Sequence, residues 1–282
     1  MALDYDLKRS SLTYLAHVEG ITMPELPDVE IFKHYLNATS LHKKIESAKV
    51  TDKRILESVS QNGLTNALKG KTFHSTRRHG KYLFVELNDY TFLVLHFGMT
   101  GFLKYFKKMD KQPDHARLLI EFANGYHLAY DCQRMLGQVS LTEKVEKFIK
   151  LNDLGVDAMA VDLETLRDVL GNTRAKVKSA LMNQKLLAGI GNVYSDEILF
   201  QAEVHPKTKA NTLSEERLER ILSHMRKVLK TAIDCRADPE KMPKSYILLQ
   251  RHSEGKCPRC GREIVKEKIS GRSAYFCPKC QR

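Results

Sequence analysis

LMNQKLLAGIGNVYSDEILF, residues 181–200, decides how the rest of the chain is read. Apolar positions keep a helical period on both sides of Gly189-Ile190-Gly191-Asn192, so the stretch reads as the end of one helix, a glycine turn and the start of another. A helix that begins on such a turn presents unpaired backbone N–H groups and the positive end of its dipole, which together favour phosphate. Asn192 adds a side-chain donor. A lone glycine turn is weak evidence, so the reading depends on what flanks it.

Working outward, VDLETLRDVL (161–170), RAKVKSALMN (174–183), NVYSDEILFQ (192–201) and SEERLERILSHMRKVLKTAID (214–234) all carry the i, i+3, i+4 pattern of helices. Before residue 150 the period changes. KVTDKRIL (49–56), KTFHSTRR (71–78), KYLFVEL (81–87), TFLVLHF (91–97), ARLLIEF (116–122), YHLAYD (126–131) and GQVSL (137–141) are short and rich in β-branched or aromatic residues. Turn signals such as Asn62-Gly63 and Asn124-Gly125 separate them, which predicts an antiparallel sandwich or barrel. Ahead of the strands, Val29, Phe32, Leu36 and Leu41 predict a helix from Asp28 to Leu41. Residues 238–256 are charged and loop-like.

Beyond them lie CPRC (257–260) and CPKC (277–280), the spacing of a four-thiolate zinc ribbon. The sixteen residues between Cys260 and Cys277 can form a hairpin turning at Ser270-Gly271-Arg272. They hold too few apolar side chains to fold alone, so one Zn2+ bound by Cys257, Cys260, Cys277 and Cys280 supplies the folding energy. A closed four-sulfur shell makes that zinc structural. A ribbon used only for protein contact is the competing reading. The fold class is therefore α+β and multidomain: a leader over 1–22, an N-terminal helix with a β-sandwich over 23–150, a helical domain over 151–256 and a zinc finger over 257–282.

Forty-six Lys and Arg against thirty-four Asp and Glu, in 282 residues, leave a net charge of +12 and point to a polyanion, nucleic acid before membrane. No apolar run is long enough to span a bilayer, and residues 1–22 lack the order of a secretory signal. With C-x-x-C pairs better suited to metal than to disulfides, these features predict a cytoplasmic protein, nucleoid-associated when bound to DNA.

MPELPDVE (23–30) opens the sandwich region. Pro and the acids after it suit a helix start. Together with HGKYLFVEL, LHFGMTG, the Asn124-Gly125 to Gly137 segment, the 181–200 stretch and the terminal cysteines, it resembles the formamidopyrimidine-DNA glycosylase and endonuclease VIII family of base-excision repair enzymes. The likeness runs from Met23 to Arg282 and implies a helix-two-turn-helix over 174–201, a damaged double-stranded DNA partner and a monomer.

The resemblance also implies roles. Pro24 becomes the N-terminal nucleophile, which requires that translation begin at Met23. Glu19-Gly20 can be encoded as GAG-GGN, a ribosome-binding sequence just upstream of that codon. Glu25 becomes the general acid and base, with a first-turn helix carboxylate as the competing reading, and Lys81 the lysine that assists elimination, otherwise an edge residue in solvent. Arg272 matches the arginine gripping phosphates beside the lesion. Met99 matches the wedge that fills the gap left by a flipped base, with Gly98 and Gly101 allowing close approach to DNA; a core methionine competes.

Arg134 matches the contact to the estranged base, His115 a DNA-contacting histidine, and Lys178 and Asn192 phosphate ligands, although a solvated lysine competes for Lys178. Departures from the family pattern are Leu136 in place of an aromatic wedge, His79 in place of a second arginine and Asp28 in place of a pocket glutamate. The implied activity is removal of oxidised bases, formamidopyrimidine and 8-oxoguanine, through a Schiff base followed by β,δ-elimination. Two alternatives stay open: an inactive damage-binding protein on this scaffold, and a glycosylase specific for oxidised pyrimidines. Only seventeen residues separate Pro239 from Cys257, a short connection for a purine-specific member.

Overall fold

The computed structural model describes residues 23–282, so the leader expected over 1–22 lies outside the described residues. Helix α1 spans Leu26–Ser40, close to the expected bounds, with Glu25 at its N-cap and Pro27 in its first turn. Eight strands follow: β1 (Ile45–Val50), β2 (Phe73–His79), β3 (Tyr82–Leu87), β4 (Phe92–His96), β5 (Phe102–Phe106), β6 (Ala116–Phe122), β7 (His127–Asp131) and β8 (Gln138–Thr142). They form two four-stranded antiparallel sheets, ordered β1-β6-β7-β5 and β2-β3-β4-β8. Inward residues of both, among them Phe73, Leu83, Phe97, Phe122 and Tyr130, make one core with Val29, Phe32 and Leu36 of α1. This is the expected sandwich.

Three local readings need correction. KVTDKRIL is strand only as far as Val50, because Asp52 accepts a hydrogen bond from Arg54 N and caps a 3₁₀ turn over Lys53–Ile55. Asn62-Gly63 is not a hairpin turn but lies inside helix α2 (Gln61–Leu68), where Ser60 Oγ caps Gly63 N. Strand β5, FLKYF, was not anticipated and forms a sheet edge.

The second half holds helices α3 (Val145–Leu151), α4 (Leu163–Gly171), α5 (Val177–Leu181), α6 (Asn192–Gln201) and α7 (Glu215–Asp234). The two-residue strands β9 (Val156–Asp157) and β10 (Leu187–Ala188) pair in parallel between them. The apolar face of α7, including Leu218, Ile221, Met225 and Leu229, packs with Ile198 and Leu199 of α6 in a second core. Leu26 belongs to this helical core while Val29, three residues later, belongs to the sandwich. Helix α1 thus bridges the two cores, and burial of Leu26, about 2 kcal/mol, pins its first turn at their junction. Strands β11 (Val265–Ile269) and β12 (Arg272–Phe276) form the terminal hairpin around Ser270-Gly271, both at positive φ as a two-residue turn requires.

Candidate active site

The residues before α1 meet the glycine turn before α6. Leu26 N donates to Gly189 O at 3.0 Å. The Glu25 carboxylate, 3% exposed, accepts from Gly191 N at 2.7 Å, Val193 N at 2.8 Å and Tyr194 N at 3.3 Å. It therefore caps α6. A Cβ on Gly191 would lie 2.4 Å from Glu25 Cδ, so glycine is needed there for the carboxylate to reach the helix. This corrects the reading of the turn: N–H groups expected to face DNA phosphate are held by a side chain 166 residues away. Gln184 clasps the same turn, Oε1 accepting from Gly189 N and Nε2 donating to Ile190 O. Asn192 is half-buried, and its Oδ1 has no partner among the described residues.

Pro24, half-buried, sits directly beside this clamp. Asp28 is buried and its Oδ2 accepts from Glu25 N at 2.8 Å. Burial raises its pKa to about 7, the hydrogen bond from Glu25 N opposing. Lys81 is buried rather than solvated at a sheet edge, and it feels Glu25, Asp28 and Arg272 together. Desolvation lowers its pKa against the pull of the two carboxylates. Exposed Arg272 opens β12. The structure thus brings Pro24, Glu25 and Lys81 of the sandwich region together with Arg272 of the finger.

Lys178 is not the solvated lysine of the competing reading. It is 1% exposed, and Nζ donates to Asp196 Oδ1 at 2.5 Å and to Ser195 Oγ and Asn192 O at 3.2 Å. A solvated lysine is excluded, and the ammonium lies under the start of α6.

The remaining DNA-facing candidates form a second group at one end of the sandwich. Met99 is half-buried in the turn after β4, not in the core. A Cβ on Gly98 would lie 2.4 Å from the Leu136 carbonyl carbon, and one on Gly101 2.4 Å from Phe97 O. These glycines admit the protein's own backbone. Their packing sets the Met99 turn against the loop carrying Arg134 and Leu136. Arg134 is exposed, its N donating to Thr100 Oγ1, and Leu136 is 51% exposed. His115, half-buried, donates its N to Asp131 Oδ2 at 2.8 Å at the base of that loop.

Two positioning networks escaped the sequence. Asp157 Oδ2 accepts from Gly80 N and Arg78 Nη1, and Arg78 also pairs with Glu30. This latch ties the turn bearing Lys81 to the helical domain. Asp196 joins Lys178, Arg251 and Tyr275 N, linking α5, the 238–256 connection and the finger. Arg78 stood visible beside His79, but nothing in the spacing named Asp157 as its partner, or Asp196 as the partner of Lys178 and Arg251.

All four Sγ atoms of Cys257, Cys260, Cys277 and Cys280 lie within 4.8 Å of one another, with Cys257–Cys280 at 3.8 Å and Cys260–Cys277 at 3.6 Å. A tetrahedral Zn–S shell of about 2.3 Å requires sulfurs about 3.8 Å apart. The set fits zinc. Among the described residues the apolar side chains clustered with the cysteines are Phe200, Ile247 and Ile264, with half-buried Tyr275 against them, a small core that metal has to hold. Among the described residues no helix is long and apolar enough to cross a membrane.

Family comparisons agree with this geometry. The formamidopyrimidine-DNA glycosylase N-terminal domain matches residues 23–139, the H2TH domain of the same enzyme 154–242, and the zinc finger found in FPG and IleRS 255–282. The Bacillus subtilis formamidopyrimidine-DNA glycosylase is 33% identical, covering 92% of this chain and 99% of that protein. The Pelotomaculum thermopropionicum enzyme is 31% identical over the same shares. Lactococcus lactis Fpg bound to Fapy-dG DNA superposes at a TM-score of 0.83 with 30% identity, covering 92% of this chain and all of that one. The same protein non-covalently bound to AP-site DNA superposes equally well at 31% identity, covering 92% and 99%. The three matched domains follow in order on one fold, and the chain belongs to the formamidopyrimidine-DNA glycosylase family.

Proposed function

We propose that the protein is a bifunctional DNA glycosylase and AP lyase of base-excision repair, acting on oxidised bases in duplex DNA. The observation that carries this is the Glu25 clamp on α6, which fixes the residue after Pro24 at the junction of both cores. In a chain beginning at Pro24, a secondary amine lies beside a held carboxylate and a partly desolvated lysine. The amine attacks C1′ as the base departs with the bonding pair, and once the nitrogen has lost its proton Glu25 protonates O4′ and the C1′–O4′ bond opens. The resulting iminium acidifies C2′, and Lys81 and Arg272 assist elimination of the flanking phosphates.

Met99, Arg134 and Leu136 occupy the gap and contact the opposite base, with His115, Lys178 and Asn192 supporting the backbone. Zinc keeps the hairpin that carries Arg272 folded. We take 23–150, 151–256 and 257–282 as the working domains of a monomer stationed at the nucleoid.

One observation favours a particular substrate order. The 238–256 connection is tied down by Leu248 N to Glu197 Oε2 and by Arg251 to Asp196, leaving little chain to fold over a purine. Formamidopyrimidine should therefore be released faster than 8-oxoguanine. Borohydride trapping on lesion duplexes tests the whole reading: protein beginning at Pro24 forms a covalent adduct, and the same protein with Met23 retained forms none.

A further inference from the structure

We infer that Asp28 is the proton acceptor and positioning group for the Pro24 amine. The inference rests on the nucleophile reading above and adds a residue to it. Asp28 Oδ2 accepts from Glu25 N at 2.8 Å, and that nitrogen belongs to the peptide joining Pro24 to Glu25. Successive backbone nitrogens are at most about 3.6 Å apart, so Oδ2 lies no farther than roughly 6.4 Å from the Pro24 ring nitrogen. The second oxygen, Oδ1, is buried and has no hydrogen-bond partner among the described residues.

A buried acceptor without a donor costs about 1–3 kcal/mol. While Pro24 is joined to Met23 its nitrogen carries no hydrogen and cannot donate. Uncapped and protonated, it carries two. The orphaned oxygen is thus an acceptor that lacks the kind of donor a start at Pro24 would supply one residue away from the Glu25 N that Oδ2 already holds.

In the step that follows, one proton leaves the Pro24 ammonium for Asp28 Oδ1, and the freed nitrogen lone pair forms the bond to C1′ as the bond from C1′ to the base breaks, the base leaving with that electron pair. At an abasic site the same lone pair adds to the C1′ aldehyde, and the oxygen takes the proton from Asp28 and the remaining amine proton and leaves as water. Groups facing Asp28 are Glu25 on its own turn, Lys81 from the β2–β3 turn and the buried phenol of Tyr194 from α6. With Pro24 capped, burial raises the Asp28 carboxyl to about 7, within about a unit of an ordinary α-amine. The charge of an uncapped amine draws the carboxyl down again, so transfer is open through the neutral range and fails at acid pH, where Asp28 already holds a proton.

The test is single-turnover borohydride trapping on a duplex with a preformed abasic site, using zinc-loaded protein beginning at Pro24, from about pH 5.5 to 9. The wild type should show a rate rising with pH, half-maximal at or below about 7. In Asp28→Asn the rate at pH 7 should fall about a hundredfold and the midpoint should move up towards that of the amine itself. Asp28→Glu should restore both. Affinity for a tetrahydrofuran-containing duplex should stay within about threefold in both variants, which separates a proton role from misfolding. An Asp28→Asn protein with the wild-type rate and midpoint overturns the role of Asp28 while leaving Pro24 in place. Failure of the wild type to trap at any pH overturns the nucleophile reading, and this inference with it.

Discussion

Glu25 and Leu136 are both assigned to work on a flipped nucleotide, and the fold treats them in opposite ways. The carboxylate is 3% exposed and bound by three backbone N–H groups, whereas the leucine is 51% exposed on a loop whose preceding residue, Met135, has a φ of +56°. Charge chemistry gains most from groups fixed before the substrate arrives. A wedge has no partner until the duplex opens, so nothing in the free protein can fix it. The largest expected effect follows from the fixed end: Glu25→Gln should slow single-turnover base release by about 10²–10⁴. Its amide turns an N–H toward the α6 donors, so thermal melting should also report a loss of about 1–3 kcal/mol. A variant that melts lower yet releases bases normally would reduce Glu25 to a helix cap.

The fixed region extends to the turn that presents Lys81. Asp157 takes the guanidinium of Arg78 and the N–H of Gly80 at once, and the ion pair is mostly shielded from water. Asp157→Ala leaves Arg78 with Glu30 alone, and denaturant unfolding should show a loss of about 3 kcal/mol. AP-lyase turnover should fall with it, because Lys81 loses its anchor to the helical domain. The exposed pair Arg77–Glu146 offers the contrast: Glu146→Ala should change stability by less than about 0.5 kcal/mol.

A third comparison uses pH. Burial raises the Glu197 carboxyl to about 7 against hydrogen bonds from Gln201 and Leu248 N. The folded protein therefore binds this proton more tightly than the unfolded chain. The stabilisation is complete below the unfolded pKa near 4.5 and is lost as pH rises through about 7. Over that window it amounts to roughly 3 kcal/mol. Glu197→Gln should flatten this part of the stability profile and leave the protein more stable than wild type at pH 8, as read by urea midpoints. An unchanged slope would show that Glu197 stays ionised.

Features written by local chemistry were legible in the sequence, and those made by long-range pairing were not. Helix α6 was placed at its observed bounds, Asn192–Gln201, and α7, read over 214–234, runs Glu215–Asp234 with Ser214 as its cap, because period and caps lie within the segments themselves. The four cysteines declared their ligand set by spacing. Strand β5 was lost because an edge strand alternating with Lys104 carries a weak signal. The glycine turn was read as bare because Glu25 lies so far away in the chain, although both residues had been singled out. For the same reason Lys178 could be recognised but not its burial against Asp196, a residue without a motif of its own.

The last effect belongs to the exposed side of the comparison and sharpens it most. Leu136 can part a base step, but it presents no ring to stack on, and base–aromatic stacking contributes about 1–3 kcal/mol. Leu136→Phe should therefore tighten binding to an abasic-site duplex by about tenfold. Its cost to the free protein should be under about 0.5 kcal/mol, because the side chain is half in water already. Leu136→Ala should weaken binding with the same indifference in melting. If either substitution shifts the melting temperature as much as it shifts affinity, the loop is packed in solution, and the division between a prepared acid and an uncommitted wedge fails at this residue.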